Sequence, residues 1–154
     1  MSVHEVGVQD LTDTEDGNDT TSLPGLETMQ VGFRTVDGVR IRYAESGGIA
    51  DQSILLTSPW PESVYAFAPI WSTLTQHARL FAVDLPGFGG SERRDDLLSP
   101  RAMGGFLVRV IEEFGLRGAH IVGPDIGTSA ALFAVASRPD LLSSVVVGLS
   151  LIHI

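Results

Sequence analysis

From Met29 onward the chain switches repeatedly between two hydrophobic periods. Val39, Ile41 and Tyr43 alternate with Arg40 and Arg42, the period-two pattern of a half-exposed strand. Together with Val31–Val36 they predict a hairpin, turned at Asp37-Gly38, where both residues tolerate positive φ. Ser46-Gly47-Gly48 ends it. Ser53–Thr57 (SILLT) and Leu80–Val83 (LFAV) are short apolar runs that read as buried strands. Between them lie the loop Ser58–Ser63 and a helical face marked by Phe67, Ile70, Trp71 and Leu74. After the loop Asp84–Ser91, Ser99 is placed to cap a helix with Pro100 at its first position. Met103, Phe106, Leu107, Val110, Ile111 and Phe114 form its apolar stripe, and Gly115 suits its C-terminus. A strand at Ala119–Val122, a helix at Ile126–Ser137 and a strand at Val145–Leu149 follow. That last helix is apolar almost all round (AALFAVA), which predicts burial on most sides.

Strands that alternate with helices imply right-handed crossovers. The expected fold class is therefore α/β: a mostly parallel sheet with helices on both faces and the opening hairpin as an antiparallel edge.

Charge divides the chain differently. Residues 1–29 hold seven acids and neither Lys, Arg nor an aromatic ring, and are read as a disordered acidic leader. The leader lacks the basic start and apolar stretch of an export signal, so a cytoplasmic location is expected. The net charge of −9, with ten basic residues that are all Arg, offers no basic stripe for nucleic acid. Absence of Cys removes disulfides and thiolate metal sites, and no apolar run reaches the ~20 residues of a membrane helix. The partner expected is a small-molecule substrate, with no metal or other cofactor.

The chemistry concentrates in Gly123-Pro124-Asp125-Ile126-Gly127, where a strand runs straight into a helix. This is a Gly-x-nucleophile-x-Gly pattern with Asp in the place more often held by Ser. A sharp turn there projects the central side chain above the sheet, and glycines on each side avoid clashes of a Cβ. The Ile126 N–H then heads a helix, where it can stabilise a developing oxyanion. Small residues Thr128, Ser129 and Ala130 allow close packing of that helix. Three other readings stand beside this one: Asp125 as an ordinary helix N-cap, Gly87-Phe88-Gly89-Gly90 as a phosphate loop, or Asp125 as a phospho-accepting receiver residue. The phosphate loop lacks the final Gly of its fingerprint, which would fall on Glu92, and a receiver needs an acidic pair near the first strand.

The segments SILLTSPWPES, AVDLPGFGGSE, HIVGPDIGTSAALFA and RPDLLSSVVV together resemble the N-terminal half of the α/β-hydrolase fold. An Asp elbow beside the W-P-E-S-x-Y loop is most similar to its epoxide hydrolase and haloalkane dehalogenase branch. The resemblance implies that Asp125 attacks a saturated carbon to form an alkyl ester, which a His-activated water then hydrolyses. It implies an oxyanion hole made by the Ile126 and Trp60 amides. It also assigns Asp84 to organising its loop. The sequence departs from the family's His-Gly-x-Pro at Ser58-Pro59-Trp60-Pro61, and has Pro124 where His often precedes the nucleophile. Ile126, whose side chain has no donor for a departing halide, favours an epoxide hydrolase-like over a dehalogenase-like activity. A non-catalytic binding protein on the same fold is a further alternative. In this family the acid and His follow the nucleophile in chain order. None of His4, His77, His120 or His153 fits the base position. Residues 30–154 are thus expected to be the N-terminal part of a longer domain, cut after about the sixth strand, without lid or turnover.

Overall fold

The computed structural model describes residues 26–47 and 51–148. Residues 1–25, and with them most of the acidic leader, lie outside the described residues, as do Leu149–Ile154. Leu26–Thr28 form a 3₁₀ turn and Met29 is buried. The Trp71 indole N–H reaches the Thr28 carbonyl at 3.4 Å, so the described structure includes residues just ahead of 30.

Among the described residues the strands are β1 (Gln30–Val36), β2 (Val39–Glu45), β3 (Ser53–Thr57), β4 (Arg79–Val83), β5 (Ala119–Pro124) and β6 (Leu142–Gly148). They form one sheet in the order β1-β2-β4-β3-β5-β6. β1, β2 and β4 pair antiparallel, and β4, β3, β5 and β6 pair parallel. The hairpin turns at Asp37 and Gly38, both at positive φ, as the dipeptide predicts.

Three helices cover the sheet: α1 (Ala68–Leu74), α2 (Pro100–Glu113) and α3 (Ile126–Ser137). Successive strand residues point to opposite faces, so neighbours such as Leu55 and Leu56 enter different cores. Leu55, Phe81, Val83 and Ile121 pack with Phe106, Leu107 and Ala130 beneath α2 and α3. Leu56, Leu80 and Ala82 pack with Val64, Phe67 and Trp71 beneath α1. Ser99 caps α2 by accepting from the Ala102 N–H, with Pro100 at its first position.

Three expectations need correction. Ile70 is exposed, because the covered face of α1 is set by Ala68 and Trp71 and Ile70 lies off it. α3 is not covered all round: Leu132 is 47% exposed and Ala136 and Ser137 are exposed, while α2, β5 and β6 cover the other sides. The last strand starts at Leu142 rather than Val145, since Ala119 and His120 draw the preceding residues into the β5 ladder. Among the described residues, no helix is long and apolar enough to cross a membrane.

Candidate active site

β5 passes into α3 through one residue. Asp125 has φ 50° and ψ −121°, a backbone conformation that costs a non-glycine residue of order 1–3 kcal/mol. Local contacts hold it there. The Asp125 N–H donates to the Gly148 carbonyl at 3.0 Å, tying the turn to β6. The Thr128 hydroxyl donates to the Gly123 carbonyl at 2.7 Å, bracing the turn from within.

The flanking glycines are sterically required. A Cβ on Gly123 would lie 2.5 Å from the Gly127 carbonyl oxygen, and one on Gly127 would collide with the Thr57 hydroxyl. β3 and the start of α3 therefore approach more closely than any side chain at 127 permits.

Asp125 occupies the N-cap position of α3, yet its side chain makes no capping hydrogen bond. Its Oδ2 instead accepts from the Trp60 N–H at 3.0 Å, across from the loop after β3. The ordinary-cap reading is thereby overturned: the carboxylate turns away from its own helix. The Trp60 amide and the Asp125 carboxylate, 65 residues apart, stand together. The Ile126 N–H is the first amide of α3, where no intrahelical acceptor exists. The Trp60–Pro61 peptide is cis, and the Trp60 ring is 63% exposed above the loop.

Sequence reasoning understated Asp84. Fully buried at the end of β4, it accepts from the Gly90 N–H at 2.7 Å in its own loop. It also accepts from the Val64 N–H at 2.8 Å, four residues beyond Trp60. The Arg42 guanidinium completes the site, with Nε 2.6 Å from Oδ2. One carboxylate thus fastens the β4 loop and the segment after β3 to β2. The signal was present as an Arg on the polar face of β2, but nothing in the sequence pairs it with Asp84. Ser58, which replaces the family's usual His, is buried with its hydroxyl unpartnered among the described residues.

His120 sits at the start of β5, its Nδ1 2.7 Å from the Ser144 hydroxyl. It lies five positions before Asp125 along the strand, roughly 16 Å away. His77 precedes β4, at the same far end of the sheet. His4 and His153 lie outside the described residues. The described residues contain no cluster of His, Asp or Glu arranged to hold a metal ion.

A strand-to-helix elbow at the C-terminal edge of a parallel sheet, with an acidic residue at its apex, defines a class of protein. The sequence profile of the alpha/beta hydrolase fold matches residues 52–150, and the chain belongs to that family. It is 32% identical over 113 residues to the dihydrolipoyllysine-residue acetyltransferase component of the acetoin cleaving system of Cupriavidus necator, covering 73% of this chain and 30% of that protein. It is 25% identical over 107 residues to a soluble epoxide hydrolase of Corynebacterium sp. (strain C12), covering 70% of this chain and 37% of the relative. A haloalkane dehalogenase loop variant, DbeA-M1 of Bradyrhizobium elkanii, superimposes with a TM-score of 0.70 at 27% identity, over 78% of this chain and 40% of the enzyme. The chain thus spans well under half the length of these relatives.

Proposed function

We propose that this chain carries the nucleophile and oxyanion hole of a hydrolase acting on epoxides, with Asp125 as the nucleophile. The observation that carries the reading is the Trp60 N–H bond to Asp125 Oδ2, at 3.0 Å, in place of a helix cap. Oδ1 accepts no hydrogen bond from the described residues and is the oxygen free to attack. It displaces the epoxide oxygen from carbon, forming a C–O ester bond as the ring C–O bond breaks. The released alkoxide takes a proton from an acid or from water. Oδ2 is left as the ester carbonyl oxygen. When water adds to the Asp125 carboxyl carbon, Oδ2 gains the negative charge, and the Trp60 and Ile126 amides stabilise it. Collapse releases the diol and returns the carboxylate with one oxygen from water.

The relatives that are epoxide hydrolases and haloalkane dehalogenases support displacement at saturated carbon. Between the two, the aliphatic side chain of Ile126 favours the epoxide, since it gives no hydrogen bond to a leaving halide. Hydrolysis of the ester needs a base to activate water, and among the described residues neither His77 nor His120 is near enough to act. The 154-residue chain is therefore expected to stop at the alkyl ester.

Incubation with propylene oxide, followed by intact-mass and peptide mass spectrometry, tests this. One adduct per chain on Asp125, lost in Asp125→Asn, is the expected result. Labelling elsewhere with Asp125 untouched would reject the nucleophile assignment. Rapid multiple turnover would reject the arrest at the ester.

A further inference from the structure

Beside the elbow lies a cavity of about 130 Å³ lined by Phe88, Leu98, Pro100, Met103, Ile126 and Ser129. Three separate segments build it: the β4 loop, the start of α2 and the start of α3. One wall is Ile126, the residue directly after Asp125. Met103 is 4% exposed, whereas Phe88 and Leu98 are half-buried. No charged side chain lines it. Its one polar side chain, Ser129, already donates its hydroxyl to the Ile126 carbonyl at 3.0 Å. Most of the lining is apolar side chain, so a polar group there would lose its water with little compensation.

Size narrows the occupant. A cavity of about 150 Å³ with Leu, Ile and Phe walls takes up one benzene ring. The cavity beside Asp125 is slightly smaller and open on one side. Phe88 offers an aromatic wall, and the Met103 thioether suits contact with a ring edge. We infer that this cavity is a subsite for a phenyl-sized aromatic substituent of the substrate, next to the carbon that Asp125 attacks. The inference rests on the epoxide reading and extends it to aryl-substituted epoxides.

Two measurements on the 154-residue chain separate the subsite from the chemistry. In the first, methyl NMR follows titration with benzene. Saturable shifts confined to Ile126, Leu98 and Met103 are expected, with affinity at least tenfold weaker in Leu98→Trp. Shifts that do not saturate, or that centre on exposed methyls such as Leu132 and Val147, would overturn the subsite. If Leu98→Trp does not fold, Leu98→Ala enlarges the cavity and should move preference from benzene towards naphthalene at least tenfold; an unchanged preference counts against the subsite. In the second, Asp125 alkylation by styrene oxide and by propylene oxide is timed by mass spectrometry. The ratio of the two rates should fall at least tenfold in Leu98→Trp, and a constant ratio overturns the substrate assignment. Saturable benzene binding with an Asp125 that neither epoxide labels would reject the ester chemistry and its substrate while the apolar site stands.

Discussion

Asp84 shows how one buried charge can set the geometry of a site it does not touch. Its carboxylate is fully buried, yet Arg42 and the amides of Val64 and Gly90 surround it. Removing one member of a buried pair leaves the other charge uncompensated, at a cost of about 3–5 kcal/mol. Asp84→Ala is therefore expected to destabilise the chain by about 3 kcal/mol in urea unfolding, since Arg42 keeps some access to water. The same variant frees the segment after β3, so alkylation at Asp125 should slow even in the fraction that stays folded. Strain at Asp125 belongs to the same scale. Its positive φ persists because Gly148, Thr128 and the flanking glycines leave the backbone no other route.

At the scale of elements, α2 and α3 pack closely. Gly104 faces α3 so tightly that a Cβ would strike the Phe133 Cβ and lie 2.9 Å from the Ala130 carbonyl oxygen. Gly105, one residue on, has open space. Identical substitutions at these neighbours should have opposite effects. Gly104→Ala forces the helices apart and is expected to cost about 1–3 kcal/mol. Gly105→Ala removes a flexible residue from a helix interior and should stabilise by about 0.5–1 kcal/mol. Thermal unfolding of the two variants, followed by far-UV circular dichroism, checks both signs. Movement of α2 would also deform the cavity beside Ile126, so Gly104→Ala should weaken benzene binding while Gly105→Ala should not.

Over the whole molecule, the apolar surface is unevenly covered. The central strands β3 and β4 are largely buried between the helices, but Leu132 on α3 and Val146 and Val147 on β6 are 47%, 56% and 44% exposed. β6 is an edge of the sheet among the described residues, and an exposed apolar edge is a template for association. The chain is expected to self-associate as concentration rises. Leu132→Lys combined with Val146→Thr should raise the concentration at which light scattering appears, without altering alkylation of Asp125. Both positions lie away from the elbow, so a change in alkylation would show that association and chemistry are linked.

Local pattern determined most of the fold. Period-two runs marked the hairpin, apolar runs marked β3 and β4, and Ser99-Pro100 marked the start of α2; each signal is complete within a few residues. The elbow was legible for the same reason, as its spacing of small residues is a local steric demand. What surrounds it was decided by tertiary structure. The Trp60 amide meets Asp125 across 65 residues of chain, and Asp84 joins two loops to Arg42. The cavity beside Ile126 takes walls from three segments. Ile70 and Leu132 look like core residues in the sequence, yet face outward. A hydrophobic period tells which residues prefer to leave water, but only the packed chain decides which of them find a neighbour to cover them.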